Sequence, residues 1–326
     1  MEESIAVKTN SFFRNKKFFK HLLKISFSIV LFYIIIKDVD FKTIIDSIKS
    51  AKWEILVVAF GLHFVGFYVS ALRWRLLLTT QGVKPKVSYL IKSNLIATFF
   101  NQFLPSTVGG DTVRAYDSWR LGKKKADAVS VIFIDRFLGI LVLLLFASIT
   151  VFFAEPITSK VPFLHYWVMG SGLLALFAIL FVFFPNKKIF EPFNKIPIPI
   201  VRKINQKILK LADSLWQFRN HKKVLINAFL LSILLQANVV FYYFLISHSL
   251  IFGISFIYFF LMVPISIFIM MLPISINGIG LRENIFFIFL SNFSIHASEA
   301  VAFAWIEFLF IIILGLIGGL VYAFRK

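Results

Sequence analysis

Pro105, Gly110 and Arg114 recur as Pro273, Gly278 and Arg282: in each set glycine stands five residues after proline and arginine nine after it. An arginine stays charged, and its planar fork donates paired hydrogen bonds to a phosphate or carboxylate. Proline and glycine interrupt helices, and a helix restarting after such a break points unpaired N–H groups at an anion. The repeated set reads as two anion grips. The expected substrate-contacting residues are Gly109, Gly110, Asp111 and Arg114 in the first copy and Asn277, Gly278 and Arg282 in the second. A plainer reading pairs Arg114 with Asp111 or Asp117 and Arg282 with Glu283, and it stays open because one arginine can fill both roles in turn. Asp111 or Thr112 also fits the N-cap of a helix starting there.

A second correspondence follows at an offset of 172, where Ala128, Val129 and Asp135 match Ala300, Val301 and Glu307. Asp135, Arg136 and Glu307 lie inside apolar runs, where a charge costs several kcal/mol unless it faces a partner or a cavity. With Glu283 they form a candidate charge-coupling group. Adjacent helical residues point about 100° apart, so one of Asp135 and Arg136 is expected to reach the neighbouring helix and the other a central cavity. A purely structural ion pair is the alternative. Asn94, Asn101, Gln102, Gln236 and Asn238 read as interhelical hydrogen-bond partners, and Gly315 with Gly319 as a close-packing step.

These residues are carried by a chain that is 59% hydrophobic and only 16% charged, against about 25% charged in soluble domains, so much of its surface must face lipid. The net charge of +19 does not indicate nucleic acid, because its Lys and Arg lie between apolar runs as the positive-inside bias requires. Without cysteine there is no disulfide framework or thiolate site. A bilayer core takes roughly 20 apolar residues per helix. Full spans are expected at 18–37, 53–78, 127–153, 163–185, 222–250 and 299–324, with further apolar segments at 88–104 and 255–272 running into the paired motifs. The first span reads as uncleaved, since Lys37, Asp38 and Asp40 stand where a signal cleavage site would need small residues.

Basic residues cluster in the first 20 residues, in Arg73–Lys86, in Arg120–Lys125, in the connector 186–221 and at Arg325-Lys326, which places all of these in the cytoplasm. Segments 154–162, 247–254 and 292–298 carry one Lys between them and belong outside, as does the mixed segment 38–52. For Arg120–Lys125 to be cytoplasmic, 88–120 must return to the side it entered. The expected architecture is therefore an all-α polytopic membrane protein with eight apolar segments: six full spans and two re-entrant helical hairpins, 88–120 and 255–291. The halves, 1–153 and 154–326, share the order span, span, hairpin, span and form an inverted repeat, with both termini in the cytoplasm of a cell membrane. The connector reads as an amphipathic helix on anionic lipid, through Ile204, Ile208, Leu211 and Leu215.

Enzymatic signatures are lacking. The six histidines have no metal-ligand spacing, Gly278 and Gly280 lack the third glycine of a dinucleotide loop, and no Walker loop or nucleophile elbow occurs. No cofactor, metal or nucleic-acid partner is expected, and the oligomeric state stays open.

The motif residues Asn101 to Pro105, Gly109, Gly110, Asp111 and Arg114, Ala128 to Arg136, and Pro273 with Asn277, Gly278, Gly280, Arg282 and Glu283 resemble the transmembrane region of lysylphosphatidylglycerol synthases and stand-alone flippase-like membrane proteins. The resemblance runs over nearly the whole chain. It implies movement between leaflets of a lipid with an anionic or modified headgroup, such as an aminoacylated phospholipid or a polyprenyl-phosphate-linked intermediate. The chain ends at Lys326 without the soluble aminoacyl-transferase domain of the bifunctional synthases, so lysyl transfer is not expected. Ser106 stands where glycine is usual and Asp135 where glutamate is commoner. Two other classes remain: a scaffold recruiting a cell-envelope glycosyltransferase or lipid synthase through the basic connector, and an intramembrane transferase using Asp135 or Glu307 as base.

Overall fold

The structure is a computed structural model that describes residues 40–103, 108–122, 125–158, 163–183, 221–271 and 278–325, together with Tyr33, Phe218 and Ser275. The expected first span apart from Tyr33, the connector apart from Phe218 and His221, both motif prolines, Ser106 and Asn277 lie outside the described residues.

Every regular element among the described residues is helical: α1 Phe41–Ser50, α2 Trp53–Thr79, α3 Val87–Phe103, α4 Val108–Arg120, α5 Lys125–Thr150, α6 Glu155–Thr158, α7 Leu164–Phe183, α8 Lys222–Ser249, α9 Phe259–Met271, α10 Leu281–Leu290 and α11 Ala297–Ala323. Among them α2, α5 with its short 3-10 extension, α8 and α11 are long and apolar enough to cross a membrane, and α7 and α9 contain shorter apolar helices. Large apolar side chains stand exposed along these helices, among them Val57, Phe64 and Tyr68 on α2, Leu230 and Leu234 on α8, and Leu316 and Leu320 on α11. Lipid is the solvent such faces require.

Segment 38–52, read from its charges as a loop, contains α1. Asp40 caps this helix, accepting from the amides of Lys42 (3.1 Å) and Thr43 (3.3 Å) and from the Thr43 hydroxyl (2.7 Å), and these hydrogen bonds hold its carboxyl below the usual range. Ile44 and Ile48 turn inward against Val301, Ala302 and Trp305. The hydropathy of the segment hides this face because its other sides carry Lys42, Asp46 and Lys49.

Contacts at the helix ends sort the loops into two sets. At one end Gln81 donates to the Asp127 carbonyl (2.9 Å), and Arg325 pairs with Asp117 (2.8 Å) while lying 4.9 Å over the Tyr89 ring. The exposed Lys84, Lys86, Arg120, Lys222 and Lys223 belong to the loops and helix ends of this set. At the other end Lys52 N–H donates to the Ser249 carbonyl (3.0 Å), Asp40 N–H to the Ser298 hydroxyl (3.1 Å), and the Tyr258 and Phe293 rings meet at 4.9 Å. The start of α3 and the end of α4 thus share one end of the bundle, and the flanks of α9 and α10 share the opposite end.

Packing crosses between the two parts of the chain. α2 runs antiparallel to α8, α3 lies against both α4 and α11, and α9 lies against α5. Gly315, Gly318 and Gly319 let α11 approach α3 closely: a Cβ on Gly318 would fall on the Leu95 carbonyl, and one on Gly319 would come 2.9 Å from the Phe99 ring. The Gly315 and Gly319 step is close packing as expected, and Gly318 adds the tightest backbone contact within it. Gln102 fastens the same interface by donating to the Ile311 carbonyl at 2.7 Å. The other amides also find partners: Asn94 donates to the Ser70 hydroxyl (3.3 Å), Asn238 to the Leu62 carbonyl (3.0 Å) and Gln236 to the Gly139 carbonyl (3.4 Å).

Candidate functional site

Asp135 on α5 is fully buried and offers one oxygen to each of two arginines. Arg73 Nε from α2 donates to Oδ1 at 2.6 Å, and Arg114 Nη2 from α4 donates to Oδ2 at 2.8 Å. Arg73 also donates through Nη1 to the Ser232 hydroxyl on α8 (2.8 Å), and the Arg114 guanidinium lies 4.6 Å over the Trp74 ring. The cluster sets two buried cations against one carboxylate, an excess of positive charge that an incoming anion would offset. Arg114 Nε is buried with no hydrogen-bond partner among the described residues.

Arg136 both lines the central cavity and donates to Asp111 on α4 at 2.9 Å, one turn from the contact Asp135 makes with Arg114. Asp135 and Arg136 still point to different partners, as their helical offset requires, and α4 supplies both. Arg114 approaches Asp111 only at 4.0 Å, and Asp117 pairs with Arg325. The Arg136–Asp111 pair is partly exposed, so Arg136→Ala or Asp111→Ala is expected to cost about 1 kcal/mol or less. Thermal unfolding of each variant in detergent checks this.

The second motif repeats the arrangement with other residues. Arg282 Nε on α10 lies 3.2 Å from Glu307 Oε2 on α11, and the Tyr243 hydroxyl on α8 donates to Glu307 Oε1 at 3.0 Å. The Arg282 guanidinium stacks 4.9 Å over Phe308, as Arg114 does over Trp74. Arg114–Asp135 and Arg282–Glu307 are thus matched pairs, each joining a motif arginine to the carboxylate of the following long helix.

Backbone amides take a smaller part than the sequence suggested. α4 begins by Val108, ahead of Asp111 and Thr112, so neither is its N-cap. The Gly110 amide donates to Asn101 Oδ1 at 2.7 Å, and a Cβ on Gly110 would come within 2.8 Å of the Ala97 carbonyl oxygen and Asn101. Glycine serves there for close approach. Gly278 and Gly280 both take φ of 76°, a conformation that needs glycine, to turn the chain into α10. Glu283, at the third position of α10, is buried in the first turn of that helix, and its Oε2 has no hydrogen-bond partner among the described residues. A carboxylate at this position lies beside the positive end of its own helix.

Two adjoining cavities open beside the matched pairs. The first, about 310 Å³, is lined by Arg73, Arg114, Asp135 and Arg136 together with His63, Asn94, Asn101 and Gln236. The second, about 230 Å³, is lined by Gly278, Arg282, Glu307, Tyr243 and Ser275. Asn101, Tyr242, Ile267 and Met271 border both. Of the expected site residues, Arg114, Arg136, Asp135, Gly278, Arg282 and Glu307 reach a cavity wall. Gly109, Gly110, Asp111 and Glu283 do not, and Asn277 lies outside the described residues.

Arg73, Tyr243 and His63 are site residues that sequence reasoning missed. Arg73 was assigned to a cytoplasmic charge cluster because it precedes Arg75, Lys84 and Lys86, yet it is only 4% exposed. Its position six residues before the end of α2 is the signal that separates it from the loop.

A family model described as lysylphosphatidylglycerol synthase TM region matches residues 21–319. The chain is also similar to a UPF0104 membrane protein of Archaeoglobus fulgidus, 25% identical over 190 residues, covering 57% of this chain and 56% of that protein. The chain thus matches little more than half the length of that curated relative. With the family match extending across both motifs and both carboxylate-bearing helices, the chain belongs to the lysylphosphatidylglycerol synthase transmembrane-region family of membrane proteins.

Proposed function

We propose that this membrane protein is a lipid flippase, not an enzyme, moving a lipid with an anionic or modified headgroup between leaflets. The observation that carries the reading is the pair of adjoining cavities, each walled by a motif arginine and its partner carboxylate. The headgroup occupies the cavities while its tails remain in lipid. Asp135 holds Arg73 and Arg114 in orientation when no lipid is bound. An arriving phosphate competes for Arg114, completes the hydrogen bonding of its Nε, and is released when Asp135 takes the guanidinium back.

The same reading takes α3–α4 and α9–α10 as re-entrant hairpins from opposite faces, completing six spans and two hairpins in an inverted repeat. The contacts that close each pair at one end, the antiparallel α2–α8 packing and the exchange of α3 onto α11 and α9 onto α5 support it. The positive-inside bias puts the Lys84, Arg120 and Arg325 end in the cytoplasm.

Reconstitution of the purified chain with fluorescent lipids and dithionite quenching tests the role. Arg114→Ala is expected to slow leaflet exchange at least about tenfold, equivalent to about 1.4 kcal/mol. Arg114→Lys, a point charge without the fork, should fall between. Exchange by Arg114→Ala at the wild-type rate removes Arg114 from the mechanism.

A further inference from the structure

A third cavity, of about 680 Å³, lies apart from the motif arginines in a groove between α2 and α8. Its apolar wall is five leucines, Leu72 and Leu76 of α2 with Leu230, Leu231 and Leu234 of α8. Leu230 and Leu234 are more than half exposed, so the groove opens on a face that lipid covers. The polar lining residues gather at one end. Arg75 and Thr79 stand in the last two turns of α2, Lys84 in the loop that follows, and Asn227 in the second turn of α8. This is the basic end of the bundle. Arg75 and Lys84 form no ion pair with any described residue.

The two ends of the groove call for different chemistry. A guanidinium and an ammonium at one end suit an anion, while the leucine wall suits hydrocarbon. From Thr79 down to Leu72 the wall runs about 10 Å along α2, against roughly 15 Å for half a bilayer core. One molecule meets both demands: a phospholipid with its head at the basic end and a chain along the leucines. Basic pockets between helices at a membrane surface hold anionic headgroups in this way. A soluble anion leaves the leucines uncovered, and a zwitterionic lipid brings no net charge to the cations.

We propose that the α2–α8 groove is a binding site for a resident anionic diacyl phospholipid, separate from the transported one. Arg75 and Lys84 hold its phosphate, Asn227 offers its side-chain amide to the headgroup, and an acyl chain lies against the leucines. The Thr79 hydroxyl already donates to the Leu76 carbonyl at 2.6 Å and remains an acceptor only. On the buried side of the same helix pair, Arg73 donates to the Ser232 hydroxyl at 2.8 Å. Arg73 follows Leu72 and Ser232 follows Leu231, so the lipid clamps from outside the two helices that this hydrogen bond joins from inside. The site goes beyond the transport role and does not depend on it.

The test is photo-crosslinking of the purified full chain in detergent, mapped by peptide mass spectrometry. The probes are phosphatidylglycerol and phosphatidylcholine, each with a diazirine in the upper acyl chain. Phosphatidylglycerol is expected to label the 72–79 and 227–234 stretches well above phosphatidylcholine. Joint Arg75→Ala and Lys84→Ala should cut that label at least about tenfold, since each cation near a membrane surface adds appreciably to anionic lipid affinity. Joint Lys86→Ala and Lys223→Ala removes the same charge from exposed positions outside the groove lining and should leave the label unchanged. Leu231→Trp, which fills the groove and keeps both cations, should also remove it. Equal labelling by the two probes overturns the proposal, as does a label that survives loss of Arg75 and Lys84 or that falls as far in the Lys86 and Lys223 control. No label in the wild type means that a protein segment or nothing fills the groove, and this overturns it too. Displacement of the probe by inorganic phosphate alone makes the site one for a soluble anion and rejects the lipid.

Discussion

Asp135→Ala is expected to destabilise the protein by about 3–5 kcal/mol, because it strands two buried guanidiniums without their counter-ion. Arg73 is 4% exposed and Arg114 5%, and Asp135 is their shared partner. Folded proteins of this size hold roughly 5–15 kcal/mol in total, so the variant should lose yield in the membrane and melt well below wild type in detergent. Asp135→Asn, which keeps the shape and removes the charge, should also destabilise. The informative comparison is the triple replacement of Arg73, Arg114 and Asp135 by methionine, methionine and leucine. Removing a whole buried charge cluster is often neutral for stability, so the triple variant should recover much of the melting temperature and still move no lipid. Recovery of transport along with stability would mean that the cluster only holds the helices together. A melting temperature unchanged in Asp135→Ala would show that neither arginine depends on this carboxylate.

Gly318→Ala is the second large effect, and it acts through backbone contact. The added Cβ would overlap the Leu95 carbonyl oxygen of α3, which is backbone and cannot swing aside. Overpacking of this kind costs about 1–3 kcal/mol, more than the roughly 1 kcal/mol that alanine gains over glycine in a helix. Two neighbouring cases calibrate the result. Gly319→Ala meets the Phe99 ring, a side chain that can rotate, and should be milder. Gly170→Ala on α7 meets nothing within 4 Å and should be neutral or slightly stabilising. Thermal unfolding of the three variants in one detergent gives the order directly; Gly318→Ala melting no lower than Gly170→Ala would contradict the close α3–α11 packing.

Much of the helical framework was legible before any coordinates. The four helices long and apolar enough to cross a membrane begin and end within about three residues of the expected spans, because apolar length is a strong signal when the solvent is lipid. The offsets linking Arg114 to Arg282 and Asp135 to Glu307 single out the four residues of both buried pairs, although not that each arginine reaches the carboxylate of the next long helix. What stayed hidden depends on which face a residue occupies. Arg73 reads as loop charge, since hydropathy counts a cation without asking where its side chain points. α1 is obscured because only a narrow strip of it is buried. Glu283 reads as part of the charge pairs because it follows Arg282, whereas it stands in the first turn of its own helix. The amides at the breaks read as open to an anion, but Asn101 already occupies that of Gly110.

The contact between α3 and α11 also bears on biogenesis. Gln102 donates to a carbonyl 209 residues further along the chain. The first motif's helices therefore emerge from the ribosome long before the helix that covers them. Until α11 is inserted, the polar edge of α3 has to be shielded by lipid headgroups or an insertion chaperone, and a chain interrupted before α11 presents it to quality-control proteases. Maturation of the arginine site on α4 is thus timed by the insertion of α11.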